Sequence, residues 1–436
     1  MTLPKDHVFS AIARPKDRWD VLAFIGSLSV GGCEQHLASV FPRLAAAGLK
    51  VGVVTFRRGG PLENVLTHGG VGVFCLNRTT PDQSLPFQAG MLGRISRYHS
   101  LAMVLDIARL LRSGKVGVAH FFLPAAYVFG GLGAVLARHS NTAMSRRSLN
   151  DYQSAHPWAT RIEQYLHRRT RVLIANARPV QAQLLAEGAP KDRTVLLYSG
   201  VDLDRLANIP PRAVARERFG LTSDMLVMAI VANLIPYKGH ADVLEALGLI
   251  ASQIQRRWVL LVAGRDDGPG MELKKRAEAL GIGSNIRWLG LIDNVNLLWR
   301  AADIGVLASH QEGLPNSLLE AMAVGVPMVA TRVGGVSDIA TDGKECLLVA
   351  PRDPIGMASA LLRLAQSEKL RSQLALAATT RVRACFALHT CVERYKRLYD
   401  LMLQHNDLTN GAHVCRQFNE FNDGAANEIP AASLQI

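Results

Sequence analysis

Short, continuously apolar runs alternate with amphipathic helical stretches along this chain, and this alternation limits the possible folds more than any other feature. Strands that are apolar on every position are typical of a parallel sheet covered on both faces. Strands that alternate with helices build βαβ units, so we predict a doubly wound α/β sheet. In the first half, the predicted strands are VLAFIG (21–26), VGVVTF (51–56), VGVFCL (71–76), VGVAHF (116–121), NTAMS (141–145), RVLIANA (171–177) and TVLLYS (194–199).

The alternation starts again after a predicted linker, GVDLDRLANIPPRA (200–213), which contains a Pro pair and several turn residues. The second set of predicted strands is LVMAIVAN (226–233), RWVLLVAG (257–264), NIRWLG (285–290), DIGVLAS (303–309), VPMVAT (326–331) and ECLLVA (345–350). A chain of 436 residues is also too long for one ordinary core. We predict two Rossmann-like domains that face each other across a cleft (19–200 and 201–385), a C-terminal helix (386–404) and a loose tail (405–436).

One stretch without formal charge, 116–137, is long enough to span a bilayer. It contains His120, Pro124 and four glycines, and it divides into a strand and a helix of small residues. We therefore predict that it belongs to the buried α/β core.

The formal net charge of +13 favours anionic partners, namely nucleic acid, lipid headgroups or phosphorylated ligands, although a basic surface without a partner is an alternative. Nucleic acid is disfavoured because the sequence has no zinc-finger, RRM-type or aromatic-interleaved basic pattern. The six cysteines are scattered without a C-x-x-C pair, and the charged N-terminal segment has no apolar signal-peptide core. These features predict that the protein resides in the reducing cytoplasm.

The most informative segment is SHQEGLPNSLLEAMAVGVPMVATRVGG, residues 309–335. Pro315 suits the first turn of a helix, and Gly325 followed by Pro327 is typical of a helix end. Gly313, the bend at 314–315 and the first helical turn would gather unpaired amides where the helix dipole is positive, which predicts a phosphate site. Glu312 lies on one side of these amides and Glu320 on the other, a layout that suits a nucleotide-diphosphate sugar. Two solvated glutamates beside an ordinary strand-loop-helix unit are the structural alternative.

This segment resembles the E-x(7)-E region of glycosyltransferase family 4, the large family of retaining GT-B glycosyltransferases. The resemblance extends over about residues 20–404 and is densest in 226–350. It implies that Glu320 binds the ribose hydroxyls of the donor and Glu312 a donor-sugar hydroxyl near the reaction centre. It also implies a run of donor-binding residues that offer amides to the sugar and phosphates: Gly313, Leu314, Pro315, Asn316, Ser317 and Leu318.

The stretch VANLIPYKGH (231–240) follows the first strand of the second half. Lys238 would act there as a point charge against phosphate. In the family an Arg usually stands five residues before this Lys, and the pair neutralises the departing diphosphate. This chain has Asn233 at that position, and Arg265 or Arg332 could supply the missing cation.

In the first half, Gly31 and Gly32 precede a helix and could let backbone amides approach a ligand, although a lone pair of this kind is more often an ordinary turn. The family resemblance assigns G-G-x-E (31–34) to the loop that faces the donor phosphates and the acceptor. His120 ends a strand and is predicted to lie by the donor sugar, where the family often has H-x-H but this chain has Phe122. A satisfied core histidine is the alternative.

Two further motifs have both a functional and a structural interpretation. The adjacent Arg146 and Arg147 could serve an acidic acceptor or form a solvated charge pair. Asp202-Leu203-Asp204 spells D-x-D, but it falls in the linker, so we expect no metal and no cofactor.

The resemblance implies a retaining hexosyltransferase that uses a nucleotide-sugar donor, and we expect a UDP- or GDP-sugar. From the position of D-x-D we expect a metal-independent enzyme, and from the missing nucleic-acid motifs no nucleic-acid partner. Its acceptor would be a glycan or lipid-linked saccharide of surface polysaccharide biosynthesis. Transfer to a small soluble acceptor and a non-catalytic nucleotide-sugar-binding protein are the alternatives. We expect a cytoplasmic protein whose basic face docks on the inner, anionic membrane surface.

Overall fold

The computed structural model describes residues 17–29, 31–76, 97–150, 153, 157–405 and 410–427. The chain divides into two compact units, which are described separately. The first unit comprises residues 1–200 and 388–436, and the second unit is Val201–Ala387.

Strands form where the sequence is continuously apolar, as predicted. In chain order, the strands of the described residues are β1 (Trp19–Ile25), β2 (Val51–Thr55), β3 (Gly72–Cys75), β4 (Val116–Phe122), β5 (Thr142–Arg146), β6 (Val172–Ala175), β7 (Thr194–Leu196), β8 (Leu226–Val231), β9 (Trp258–Ala263), β10 (Ile286–Gly290), β11 (Ile304–Leu307), β12 (Met328–Thr331) and β13 (Leu347–Val349).

Helices occupy most of the stretches between the strands. In chain order, the α-helices of the described residues are α1 (Gly32–Ala46), α2 (Glu63–His68), α3 (Arg97–Arg112), α4 (Pro124–Ala137), α5 (Pro157–His167), α6 (Arg178–Ala186), α7 (Leu203–Ala207), α8 (Arg212–Arg218), α9 (His240–Ile250), α10 (Gly270–Ala279), α11 (Val295–Ala301), α12 (Asn316–Val324), α13 (Val336–Ile339), α14 (Pro354–Gln366), α15 (Glu368–Cys385), α16 (Leu388–Gln404) and α17 (Gly411–Asn427).

The first unit contains a seven-stranded sheet in the order β3-β2-β1-β4-β5-β6-β7, and every pair is parallel. The prediction that 116–137 forms a strand and a helix of the core is confirmed, because β4 is buried along its whole length and α4 packs on it. None of the helices in the described part is long and apolar enough to cross a bilayer.

The last helix departs from the sequence-based expectation of a loose tail over 405–436. Helix α17 forms within that stretch, and its residues Val414, Cys415 and Phe418 are almost completely buried in the core of the first unit. Asn and Gly have low helix propensity and hide the helical pattern, but packing of one apolar face stabilises the helix. Residues 406–409 and 428–436 lie outside the described residues.

The second unit contains a six-stranded parallel sheet in the order β10-β9-β8-β11-β12-β13. The predicted linker, 200–213, is not an irregular segment throughout, because it contains α7 and the start of α8. Both sheets reverse their strand order at one place, between β1 and β4 in the first unit and between β8 and β11 in the second. In open parallel sheets, ligands bind outside the carboxyl ends of the strands at such a reversal.

Candidate functional site

The loops that follow β8 and β11 are held together at the reversal point of the second sheet. A 3-10 turn, Pro236–Lys238, ends at Gly239, which has a φ of +70° and packs so closely on Ala308 that a Cβ would overlap the Ala308 carbonyl. The amide of His310 donates to the carbonyl of Tyr237 at 2.7 Å. This docking places Lys238 beside the loop that carries Glu312.

Lys238 and Glu312 form an ion pair at the centre of this arrangement. Lys238 Nζ lies 2.6 Å from Glu312 Oε1, and Ser309 Oγ donates to the same oxygen at 2.7 Å. Burial disfavours the charged lysine, yet the neighbouring Glu312 carboxylate and Tyr237 hold the pKa of Lys238 above its ordinary value. The site therefore contains a fixed, protonated ammonium group.

Helix α12 begins directly after Pro315, as predicted. Pro315 is the N-cap residue, no side chain caps the helix, and Gly325 with a φ of +87° ends it. Among the described residues, the amides of Gly313 and Leu314 donate to no acceptor. Leu314, Pro315 and Leu318 are buried, whereas Asn316 and Ser317 are partly exposed. These free amides at the positive end of the helix dipole can bind an anion.

The loop between β12 and α13 fixes the position of these amides. The amide of Gly335 donates to the Gly313 carbonyl at 2.7 Å. Gly334 has a φ of +48°, and a Cβ there would overlap the Glu312 carbonyl oxygen. Gly334 is therefore required for close contact with the loop of Glu312.

Glu320 is a partly exposed carboxylate without a hydrogen-bond partner among the described residues. Burial raises its pKa from 4.5 to about 7. A carboxylate that is desolvated but unpaired is suited to accept hydrogen bonds from a ligand.

Arg265 and Arg332, which could replace the cation missing at position 233, both bind other groups. Asn233 Oδ1 accepts a hydrogen bond from the Arg265 amide at 3.1 Å, while the Arg265 guanidinium binds Asp267. Arg332 pairs with Asp342 at 3.1 Å. Both guanidinium groups are thus paired with carboxylates of their own, Asp267 and Asp342.

A second set of contacts, which the sequence did not indicate, joins the loop after β11 to helix α9. His310 Nε2 is hydrogen-bonded to Asp242 Oδ2 at 2.7 Å, and Arg352 Nε lies 3.4 Å from His310 Nδ1. These residues belong to three separate loops or helices, so no local sequence pattern could have grouped them.

In the first unit, α1 begins at the reversal point with Gly31 as its N-cap residue and no side-chain cap. Gly32 starts the helix, and the buried Glu34 carboxylate lies so close to Gly31 that a Cβ there would overlap it. Burial raises the pKa of Glu34. G-G-x-E therefore forms the start of a helix with a desolvated carboxyl group beside it.

His120 is completely buried in the first unit, and both of its ring nitrogens are hydrogen-bonded. Nδ1 lies 2.7 Å from the Tyr399 hydroxyl, and Nε2 lies 2.8 Å from Ser145 Oγ. Burial, followed by the charge of Arg147, lowers the pKa of His120 to about 3. In this arrangement His120 fits the satisfied-core alternative, because a contact to donor sugar would require breaking one of these bonds.

The two adjacent arginines have different surroundings. Arg146 is buried and donates to Glu163 at 2.8 Å and to Glu187 at 2.9 and 3.0 Å. Glu163, His167 and Glu187 could together hold a metal ion, but Arg146 already occupies both carboxylates. In the D-x-D motif, Asp202 is the N-cap residue of α7 and pairs with Arg205 at 3.1 Å.

Two family profiles match the chain, one in each half. The profile described as Glycosyltransferase Family 4 matches residues 30–205, and that described as Glycosyl transferases group 1 matches residues 226–367. Together they contain every predicted site residue.

Similar proteins and structures agree with these matches. The chain is 30% identical over 362 residues to D-inositol 3-phosphate glycosyltransferase 2 of Catenulispora acidiphila, covering 78% of this chain and 83% of the relative. It is 29% identical over 371 residues to the D-inositol 3-phosphate glycosyltransferase of Geodermatophilus obscurus, covering 80% of each. The crystal structure of Anabaena HepE in complex with UDP and glucose superposes with a TM-score of 0.73 at 19% identity, covering 87% and 98% of the two chains. The chain therefore belongs to the group 1 glycosyltransferases of family 4, with the two Rossmann-like domains of the GT-B fold.

Proposed function

We propose that the second unit binds a nucleotide-diphosphate sugar, and that the protein transfers this sugar to a hydroxyl group of an acceptor. The observation that carries the proposal is the unpaired, desolvated Glu320 on α12, together with the amides of Gly313 and Leu314, which precede this helix and donate to no acceptor among the described residues. These two features match the ribose and the diphosphate of one ligand.

Each group has a role in this proposal. Glu320 accepts hydrogen bonds from the ribose hydroxyls, and the amides of Gly313 and Leu314 bind the phosphates. Glu312 accepts from a hydroxyl of the donor sugar. Lys238, whose charge is held by Glu312, turns to the diphosphate and stabilises the negative charge that develops on it.

We propose that the anomeric configuration is retained. The acceptor oxygen attacks the anomeric carbon from the face that the diphosphate leaves, so that one C–O bond forms as the other breaks. The acceptor proton passes to the departing phosphate oxygen. The cationic Lys238 and the backbone amides meet the phosphate charge, so no metal ion is required in this mechanism.

For the donor, we propose a UDP-sugar in preference to a GDP-sugar. The structures of Anabaena HepE that resemble this chain contain UDP with glucose in one case and UDP-glucose in another. The donor is a substrate, and the proposal includes no cofactor.

For the acceptor, we propose a small soluble molecule with a phosphate group. The supporting observation is that several relatives with 26–30% identity over most of the chain are D-inositol 3-phosphate glycosyltransferases. A glycan or lipid-linked acceptor at an anionic membrane is the second candidate, because the net charge is +13. Salt-reversible pelleting with anionic vesicles would favour this second candidate and a cytoplasmic, peripheral enzyme.

Binding of the donor tests the central assignment. Calorimetry with UDP should show an affinity loss of about tenfold to a hundredfold in Glu320→Gln, because a charge-assisted hydrogen bond is removed. Glu272→Gln, an exposed change on α10, is the matched control. Unchanged affinity in Glu320→Gln would remove the ribose assignment.

Two further measurements test the chemistry. Slow hydrolysis of UDP-glucose should occur without acceptor, and its absence would favour the non-catalytic binding protein. The anomeric proton coupling of the transfer product, measured by NMR, distinguishes retention from inversion. Activity that survives EDTA is expected for the metal-independent mechanism.

A further inference from the structure

Polar contacts between side chains join the loop after β11 to the segment around the start of α9. One of them is the ion pair between Lys238 and Glu312, in which Nζ and Oε1 lie 2.6 Å apart. In the proposed function the donor uses both partners, since Lys238 turns to the diphosphate and Glu312 binds a sugar hydroxyl. The ion pair is therefore open while the donor is bound, and other contacts must hold the two segments together during transfer.

A second contact uses side chains that have no role toward the donor. Asp242 is the third residue of α9, and its Oδ2 lies 2.7 Å from Nε2 of His310, which precedes Glu312 by two residues. The backbone supports this contact, because the His310 amide donates to the Tyr237 carbonyl at 2.7 Å. The Asp242–His310 contact can therefore remain in place when the ion pair opens.

A third element sets the direction of the Asp242–His310 hydrogen bond. Arg352 lies in the loop between β13 and α14 and donates from Nε to His310 Nδ1 at 3.4 Å. Nδ1 is thus an acceptor, and Nε2 carries the hydrogen that the Asp242 carboxylate accepts. The side chains of His310 and Asp242 are only 18% and 21% exposed. A hydrogen bond to a carboxylate that is largely shielded from water can hold a loop in position.

The next part of the same loop is held from a different side. The Gly313 carbonyl accepts from the Gly335 amide at 2.7 Å, so the amides of Gly313 and Leu314 have an anchor of their own. Glu312 lies between this anchor and the one at His310. Loss of the Asp242–His310 contact is therefore expected to displace Glu312 more than the amides that bind phosphate in the proposed function.

We propose that Asp242 is a positioning residue for sugar transfer and that it acts through His310. It holds the loop of Glu312 against the start of α9, so that Glu312 and Lys238 meet the donor in the geometry that transfer requires. Asp242 itself contacts neither substrate. This inference rests on the proposed function, because the residues that it positions are those assigned there to the donor sugar and the diphosphate.

The test combines hydrolysis of radiolabelled UDP-glucose by the full-length protein with calorimetric titration by UDP. Asp242→Ala should lower kcat about tenfold to a hundredfold, because small displacements of catalytic groups have large effects on rate. The affinity for UDP should stay within about twofold of the wild type, because UDP carries no sugar for Glu312 to bind. Retained UDP affinity also shows that the variant is folded.

Two matched variants separate this role from a general effect on α9. Glu245→Ala removes another acid of the same helix, which pairs with Arg276 at 2.7 Å, and it should leave kcat unchanged. Asp242→Asn keeps a side-chain oxygen that can accept from His310, so it should recover most of the kcat that Asp242→Ala loses.

A double-mutant cycle tests whether Asp242 acts through His310. His310→Ala should lower kcat about as much as Asp242→Ala does, and the double variant should lose no more than either single variant. Independent effects would multiply instead.

The positioning role would be overturned by a wild-type kcat in Asp242→Ala, by an equal loss of kcat in Glu245→Ala, or by a loss of UDP affinity as large as the loss of kcat. It would also be overturned if Asp242→Asn restored nothing, or if the effects of Asp242→Ala and His310→Ala multiplied. Failure of the proposed function is distinguishable, because the wild type would then neither bind UDP nor hydrolyse UDP-glucose, and the positioning role would be refuted with it.

Discussion

Glu320 shows how a residue that we propose to bind the ligand can destabilise the protein that carries it. The carboxylate is desolvated and has no partner among the described residues, so its charge is unfavourable until a ligand donates hydrogen bonds. By contrast, Glu312 is paired with Lys238 and Ser309 before any ligand arrives. Glu312 therefore has partners for its carboxylate without a ligand, whereas Glu320 has none among the described residues.

Glu320→Gln should raise the melting temperature at pH 8, where the native carboxyl group is forced to ionise. The unfolded chain loses this proton near pH 4.5 and the folded chain near pH 7, so stability falls as the pH rises through that window. The melting temperature should rise by about 2–4 °C for each kcal/mol by which the free energy of unfolding increases. This rise should disappear near pH 4. Scanning calorimetry measures it, with Glu272→Gln as control. An equal shift at both pH values would contradict the titration of Glu320.

Lys238→Ala should lower kcat far more than it weakens donor binding. The ammonium group is expected to act on charge that develops as the diphosphate leaves, so its loss should reduce kcat about a hundredfold. Steady-state kinetics with UDP-glucose measures the two effects, and Lys274→Ala on the exposed face of α10 is the control. A raised KM with unchanged kcat would instead indicate a role in substrate binding alone.

At the residue scale, the sequence predicted which site residues come together better than it predicted the burial and the partners of each side chain. Glu312, Lys238 and the start of α12 come together because short loops connect them to neighbouring strands. The burial of His120 could not be predicted, since its partner Tyr399 lies 279 residues away in sequence. Arg146 and Arg147 look equivalent in sequence. Only the structure shows that Glu163 and Glu187 form ion pairs with Arg146.

At the scale of elements, the position of the loop that carries Glu312 and Gly313 depends on the loop that contains Gly334. The amide of Gly335 holds the Gly313 carbonyl, and Gly334 leaves room for the Glu312 carbonyl. The geometry of the free amides is therefore set by residues that do not themselves contact a ligand in the proposed mechanism.

Gly334→Ala should reduce UDP affinity about tenfold or more, because a methyl group would push the Glu312 loop away from α12. Gly343→Ala is a matched control, since its φ is also left-handed, +72°, but a Cβ there meets no atom within 4 Å. Both changes should lower stability by about 1 kcal/mol through backbone strain. Equal UDP affinities in the two variants, measured by calorimetry, would show that strain alone governs the effect.

Phe418→Ala on α17 should lower the free energy of unfolding of the first unit by about 3–5 kcal/mol, because it leaves a cavity in a packed core. The side chain is fully buried, and α17 packs on α16, on β7 and on the 3-10 turn Lys191–Arg193. Phe421→Ala, on the same helix but with 38% of its surface exposed, should have a much smaller effect. Urea denaturation compares the two, and similar losses would indicate that α17 contributes little to the core.

The contrast between α12 and α17 explains why some elements are predictable from sequence. Helix α12 has a Pro at its start, an apolar face and a Gly at its end, so local signals agree with the fold. Helix α17 contains Asn and Gly and forms where distant residues cover Val414 and Phe418. A pattern confined to neighbouring residues cannot report contacts of that kind.

At the scale of the whole molecule, every residue that the proposal assigns to donor binding in the Lys238–Glu312–Glu320 site belongs to the second unit, Val201–Ala387. Ligand binding stabilises the parts of a protein that contact the ligand, so saturating UDP should slow amide hydrogen exchange most strongly there. The strongest protection is expected in the loops at 233–240 and 309–317. These loops contain the amides and side chains that the ligand would immobilise.

Hydrogen–deuterium exchange with mass spectrometry measures this effect in wild type and in Glu320→Gln at the same UDP concentration. Protection should be strong in the wild type and much weaker in the variant, whereas segments around β13 and α14 should change little in either protein. The comparison separates local binding from a general gain in stability, because a general gain would slow exchange throughout both units. If the strongest protection instead appeared outside Val201–Ala387, the nucleotide site could not be the one built by Lys238, Glu312 and Glu320.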